Sequence, residues 1–325
     1  GDTGFYSGAA KLLPLLRVMG YSVRVLPGLS SVQLLAAAVG RPWQDWKLVS
    51  AHGRACDPVA EILVHPQVFF LTGGGDTPAT LCAKLTAAGL GAAHALVGEN
   101  LGTPAEAIRF GLARELAEQT FAPLSVLLIE REALPPRRCP GLPDDAFIRG
   151  AVPMTKQEVR AAALAKLAVT PTDTLWDVGA GTGSVSVELA LAAPAGQVYA
   201  VECDPEACAL IQQNREKFAA YNLTLLEGKA PEALDALPAP DAVFIGGTKG
   251  NMDAVIDAVL HKNPAARLCI AAIALETLSA AVAALTAHGL AAEVTQIAVS
   301  RTKAAGSLHL LMANNPVFLI TGART

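Results

Sequence analysis

The stretch DVGAGTGSVSVELA, residues 177–190, constrains this chain more than any other part of it. A β-branched run ends at Val178, glycines follow at 179, 181 and 183, and an apolar helical pattern begins at about Ser184. Glycine serves where a backbone must turn tightly and approach a ligand closely. The first N–H groups of a helix are unpaired donors aimed at the same point. Strand, glycine turn and helix in that order predict a parallel sheet with a ligand at the carboxyl ends of its strands. Nineteen residues after Gly183, at the end of the next β-branched run, stands Glu202. An acidic group there can accept both hydroxyls of a ribose.

Two cofactor classes share this logic. A dinucleotide site asks for a further glycine at position 184, which is Ser184 here. The observed spacing, preceded by Asp177, suits S-adenosylmethionine, which has no pyrophosphate to lay on the helix dipole. A nicotinamide or flavin site and a glycine turn without ligand stay open as alternatives. On the first reading the cofactor-binding residues are Asp177, Gly179, Ala180, Gly181, Thr182, Gly183, Glu202 and Cys203. Gly228, Lys229 and Ala230 follow the third strand, where an adenine would lie. Ile245 and Gly246 end the fourth strand, facing the reacting methyl group, and Thr155 either contacts cofactor or caps a helix.

The same rhythm of short β-branched runs and Ala/Leu-rich stretches extends through the chain, which is an α/β protein. Before residue 131, YSVRVLPG, WKLVSAHG, QVFFLTGGG, HALVGENLG and PLSVLLIE read as strands. SSVQLLAAAVG, TPATLCAKLTAAG and TPAEAIRFGLARELAE read as helices, with Thr77-Pro78 and Thr103-Pro104 as their opening pairs. Residues 131–153 carry five prolines and no periodicity, and read as a linker between a domain over 1–130 and one over 154–325. In the second domain five strands alternate with helices. AAEVTQIAVS and SLHLLMANNPVFLIT then close it as an antiparallel hairpin, with RTKAAG as the turn and Asn315-Pro316 inside the returning strand.

Hydrophobic residues make up 52% of the 325 and charged residues 17%, enough apolar surface for two cores. The net charge of −4 disfavours a nucleic-acid partner bound through a basic surface. No apolar run is long enough to span a bilayer, so no membrane partner is expected. Six cysteines without a C-x-x-C pair suit a reduced, cytoplasmic setting, and six scattered histidines give no metal site. His52 reads as a polar strand-end residue and Trp176 as core.

PMTKQEVRA, DVGAGTGSVSVELA, VECDPEA, EGKAPEAL and DAVFIGGTKG together resemble the decarboxylating precorrin methyltransferase domain of vitamin B12 biosynthesis, over most of 150–320. GDTGFYSGA, VLPGLSSVQLLAA, VSAHGR, LTGGGDTPA, VGENLG and PLSVLLIE resemble the tetrapyrrole methylase fold. The resemblance implies an incomplete tetrapyrrole-methylase domain followed by a class I, Rossmann-like, seven-stranded S-adenosylmethionine-dependent methyltransferase domain. It implies methylation of a precorrin at C5 and C15, with loss of carbon dioxide from the acetate on C12. It adds Gly1, Asp2, Phe5, Tyr6, Ser30, Ser31 and Thr72 to the cofactor-binding residues. It also implies that a strand and a glycine-rich loop precede Gly1, and that the protein is a homo-oligomer. A tetrapyrrole carries carboxylates that need cations, for which Lys249, Arg301 and Lys303 are the substrate-binding candidates, with Lys156 beside them. A methyltransferase acting on protein or RNA is the alternative, and a non-catalytic nucleotide-binding module is the reading from another class.

Overall fold

Prolines and small polar residues at the starts of helices set several elements locally. Thr77 accepts from the Thr80 N–H at 3.2 Å ahead of Pro78, and Asp204 accepts from the Glu206 N–H at 2.9 Å ahead of Pro205. Each proline sits where a helix has an N–H to spare. The computed structural model describes residues 3–324 except 55, 133 and 135–138, so predicted cofactor residues Gly1 and Asp2 lie outside the described residues. The chain divides into two units, Gly1–Ala133 and Leu134–Thr325.

The first unit runs α1 (Ala9–Val18), α2 (Ser31–Val39), β1 (Lys47–Ser50), α3 (Pro58–Val64), β2 (Gln67–Leu71), α4 (Pro78–Leu85), β3 (His94–Glu99), β4 (Ala107–Leu112), α5 (Ala113–Leu116) and β5 (Ser125–Glu130). Its sheet has the order β1-β2-β5-β3-β4, with only β1 and β2 parallel. Val32, Leu35, Trp46, Phe69, Leu96 and Leu128 pack on one another as its core. Two expectations fail here. YSVRVLPG forms no strand, and Tyr21, Val25 and Leu26 along this stretch are exposed. TPAEAIRFGLARELAE is not one helix: Ala107–Leu112 pairs antiparallel with β3, and only Ala113–Leu116 is helical. Phe110 and Gly111 are weak helix formers, and Ile108, Phe110 and Leu112 alternate as a strand requires. Thr103 belongs to a turn, its N–H and hydroxyl both donating to the Asn100 carbonyl.

The second unit runs α6 (Gln157–Leu167), β6 (Thr174–Val178), α7 (Ser184–Ala192), β7 (Gln197–Glu202), α8 (Pro205–Lys217), β8 (Leu223–Glu227), β9 (Ala242–Ile245), α9 (Met252–Lys262), β10 (Arg267–Ala272), α10 (Leu275–Ala287), β11 (Leu290–Ile297), β12 (Ser300–Ala305), β13 (Leu308–Ala313) and β14 (Val317–Arg324). Its seven-stranded sheet has the order β11-β14-β10-β9-β6-β7-β8. Strands β6 to β10 are mutually parallel and β14 runs antiparallel to both its neighbours. Side chains alternate across β6: Leu175 joins the core on one face, Trp176 and Val178 that on the other. Chain order reverses between β6 and β9, the switch point where such sheets bind ligands. The closing hairpin is longer than expected. β11 pairs with β14, and RTKAAG is not a turn but lies largely in β12, which pairs with β13 as a separate two-stranded ribbon. Asn315-Pro316 lies between β13 and β14 rather than inside a strand.

The segment expected as linker is built into the second unit over its described part from Cys139 on. Leu142 and Phe147 are buried in the core. Arg160, fully buried on α6, organises it. Its guanidinium donates to Glu188 at 2.7 Å, to Asp144 at 2.9 Å, and to the Leu142 and Thr155 carbonyls, and it stacks 4.7 Å over the Phe147 ring. Glu188, also fully buried, accepts from the Gly141 and Leu142 N–H groups. Removing one member of such a set leaves an uncompensated buried charge. Arg160→Ala is expected to lower unfolding free energy by about 3–5 kcal/mol, checked by urea denaturation.

Candidate active site

The glycine turn after β6 lies against the turn after β9. A Cβ built on Gly179, whose φ is +73°, would stand 2.4 Å from the Gly247 carbonyl oxygen. The Gly246 N–H donates to the Val178 carbonyl at 2.9 Å, which joins the two turns. Gly183, at φ +74°, starts α7, and its Cβ would meet Ile211 at 3.0 Å. The sequence places glycine where nothing larger fits.

Glu202 ends β7 beside this turn. One carboxylate oxygen accepts from the Gly181 N–H at 2.9 Å, the other from the Cys203 and Asp204 N–H groups at 2.7 and 3.0 Å. These bonds orient the carboxylate at the mouth of a cavity of about 230 Å³. Its walls are supplied by the ends of β6, β7, β8 and β9. Of the predicted residues, Gly179, Glu202, Cys203, Gly228, Lys229, Ala230 and Lys249 line it together. Ala180, Gly181, Thr182 and Gly183 complete the adjoining turn. Ile245 is fully buried in the core beneath. Thr155 is placed by its carbonyl, which accepts from Arg160.

Asp177 lies under the turn, almost fully buried. One oxygen accepts from the Ser186 hydroxyl, and the other has no hydrogen-bond partner among the described residues. Burial pushes its carboxyl up to about 7, the Ser186 bonds oppose that, and the Glu202 charge adds to it.

The remaining candidates are dispersed. Arg301, on β12, donates to both oxygens of Glu158 and to Asp144 at 2.9 Å. Burial raises the Asp144 carboxyl, but the Arg160 and Arg301 guanidinium groups hold it below its ordinary value. Lys303 is exposed on the ribbon and Lys156 stands at the N-cap of α6. In the first unit the Phe5 ring lies 5.9 Å from that of Phe69, and the Tyr6 hydroxyl donates to the Leu48 carbonyl. The Ser30 N–H donates to Gln33 at the start of α2, next to partly buried Ser31. Buried Thr72 donates to the Ser125 carbonyl at 2.6 Å, and the His52 ring lies 3.4 Å from the Thr72 carbonyl. Sequence reasoning missed Asn214. Its amide donates to the Ile148 and Thr182 carbonyls and accepts from the Ile148 N–H, tying the segment before α6 to the glycine turn. It missed Thr248 and Asn251 on the cavity wall as well.

This donor set fits S-adenosylmethionine. Glu202 would accept from the ribose hydroxyls, Gly228–Ala230 would flank the adenine, and the glycine turn would lie against the methionine portion. The seven-stranded order with this cavity at its switch point is the arrangement of the Rossmann-like S-adenosylmethionine-dependent methyltransferases. Residues 145–323 match the precorrin methyltransferase domain, and residues 1–117 match the tetrapyrrole (corrin/porphyrin) methylases. The chain is 38% identical to a precorrin-6Y C(5,15)-methyltransferase [decarboxylating] from Sinorhizobium over 80% of its own length and 63% of that protein's. It is 44% identical to the cobalt-precorrin-6B C(15)-methyltransferase (decarboxylating) of Salmonella typhimurium over 54% of its own length and 93% of that protein's. A solved precorrin-6Y C5,15-methyltransferase structure from Geobacter metallireducens superposes with a TM-score of 0.55 at 41% identity, covering 57% of this chain and 96% of the other. The chain belongs to the precorrin methyltransferase family.

Two outcomes test the site. Gly179→Ala should weaken S-adenosylmethionine binding at least about tenfold by calorimetry, because the Cβ meets a carbonyl and the left-handed backbone is strained. Asp177→Asn should change how stability depends on pH. Between the ordinary carboxyl value of 3.8 and about 7 the native chain holds a proton that the unfolded chain has lost. Stability therefore falls as pH rises through that window, and the penalty is complete above it. Denaturation at pH 4 and pH 8 should show wild type losing roughly 4 kcal/mol relative to Asp177→Asn.

Proposed function

We propose that the second unit methylates C15 of a precorrin macrocycle and removes carbon dioxide from the acetate on C12, with precorrin-6B or its cobalt form as substrate. The first unit serves methylation at C5. The observation that carries this reading is the cavity joining Gly179, Glu202 and Lys249, in a chain whose second unit matches the precorrin methyltransferase domain over 145–323.

Bound S-adenosylmethionine supplies a methyl group already activated on a sulfonium. The protein's task is then orientation in line with the accepting carbon. Glu202 holds the ribose end, and the glycine turns after β6 and β9 keep side chains out of the transfer path. Loss of carbon dioxide breaks the bond to the acetate methylene and leaves an electron pair that is delocalised into the conjugated ring until that carbon takes up a proton. A cation paired with that carboxylate would retain it, so the site's cations serve the other carboxylates. Among the candidates, Lys249 faces the cavity, while Arg301 is engaged by Asp144 and Glu158.

The ribbon supports the reading of a homo-oligomer, since Leu308, Leu310, Leu311 and Met312 of β13 are all exposed. No helix among the described residues is long and apolar enough to cross a membrane, and a cytoplasmic setting suits the free cysteines. The test is the mass of the product after incubation with precorrin-6B and S-adenosylmethionine. One methyl gained with carbon dioxide lost is the expected result for the second unit, and a second methyl adds the first. An unchanged macrocycle, with protein that is folded and binds the cofactor, overturns the reading.

A further inference from the structure

The turn after β9 is an unusual place for a lysine. Thr248, Lys249, Gly250 and Asn251 form a tight turn closed by the Asn251 N–H donating to the Thr248 carbonyl at 3.1 Å. Both central residues have positive φ, +49° at Lys249 and +95° at Gly250. Such mirror-image turns favour asparagine or glycine at the first central position, because a Cβ there crowds the following carbonyl oxygen. Lysine, with a long flexible side chain and no local hydrogen bond to offer the turn, is a poor local choice. A strained residue persists where its surroundings or its task hold it.

Its side chain shows what the task is. Lys249 lines the cofactor cavity, and its ammonium donates to the Cys203 sulfur at 3.0 Å. Cys203 follows directly on Glu202, so the cation rests at the cofactor rim rather than in open solvent. A thiol is a weak acceptor compared with a carboxylate, and the side chain is otherwise exposed. An incoming carboxylate is a better partner than the one Lys249 has.

We propose that Lys249 is a specificity-determining residue that recognises a peripheral carboxylate of the substrate, one that is retained in the product, and that the strained turn holds it at the cavity rim for this purpose. The inference rests on the reading of the second unit as acting on a tetrapyrrole. The retained carboxylate is required by chemistry, since an ammonium paired with the departing carboxylate would stabilise it against loss. Cys203 is the resting partner, released when the carboxylate arrives.

Lys249→Asn and Lys249→Arg, with the macrocycle as free acid and as carboxyl methyl ester, test this. Asparagine suits the turn, so Lys249→Asn should raise Tm by about 2–4 °C. It should leave S-adenosylmethionine affinity within about twofold of wild type, yet lower kcat/KM for the free acid about 10- to 100-fold. Lys249→Arg should restore most of that loss, and wild type should bind the free acid more tightly than the ester while Lys249→Asn does not discriminate. Equal kcat/KM in wild type and Lys249→Asn overturns the inference and leaves the proposed function standing. So does an equal loss in the asparagine and arginine variants, or a cofactor affinity that falls with the turnover. Wild type that binds neither form of the macrocycle overturns both.

Discussion

The ion pair between Arg160 and Glu188 is the interaction on which the second unit's organisation depends. Both groups are withdrawn from water, and neither is tolerable there without the other. Their positions give the pair its reach. Glu188 stands on the helix that opens at the glycine turn, and Arg160 on the helix that precedes the first strand. Between them they hold the backbone of residues 141–142 and the Thr155 carbonyl. Asp144 extends the set to Arg301 on β12 and accepts from the Gln157 N–H at 2.9 Å, satisfying a donor at the start of α6. Residues 139–153 are thereby fixed along the core of the second unit.

What could be read from the sequence divides by range. The glycine turn, the helix cap at Thr77, and the acidic residue closing β7 are local devices, legible where they stand. Trp176 was legible as core by its position in an apolar strand. Segments whose structure depends on a distant neighbour were not. Ala107–Leu112 is a strand because β3 offers it an edge, and nothing within TPAEAIRFGLARELAE announces that edge. YSVRVLPG has the composition of a strand and no strand partner among the described residues. RTKAAG looks like a turn until the residues beyond it are seen to run back alongside it.

The site follows the same division. Seven of the predicted residues meet at one cavity because the alternation of strands and helices brings the strand ends together in a known order. Charge makes Arg301 a candidate for a substrate carboxylate, but charge does not show which carboxylates a cation already serves. Asn214 and Arg160 gave no signal at all, since a polar residue in a helix is ordinarily a solvated one. Their roles arise mainly from partners outside their own helices, such as Glu188 for Arg160 and the Ile148 and Thr182 carbonyls for Asn214.

The β12–β13 ribbon interrupts a pairing that does not need it. β11 and β14 meet residue for residue, from Leu290 with Arg324 to Ile297 with Val317, and the ribbon leaves from the end of that ladder. Its paired residues run from Ser300 with Ala313 out to Ala305 with Leu308. Cross-strand residues removed as whole pairs from its tip would shorten the ribbon without shifting any strand of the sheet, because the side-chain period of a strand is two. The ribbon's length is therefore independent of the sheet's register, while Arg301 at its base keeps the inner end in place.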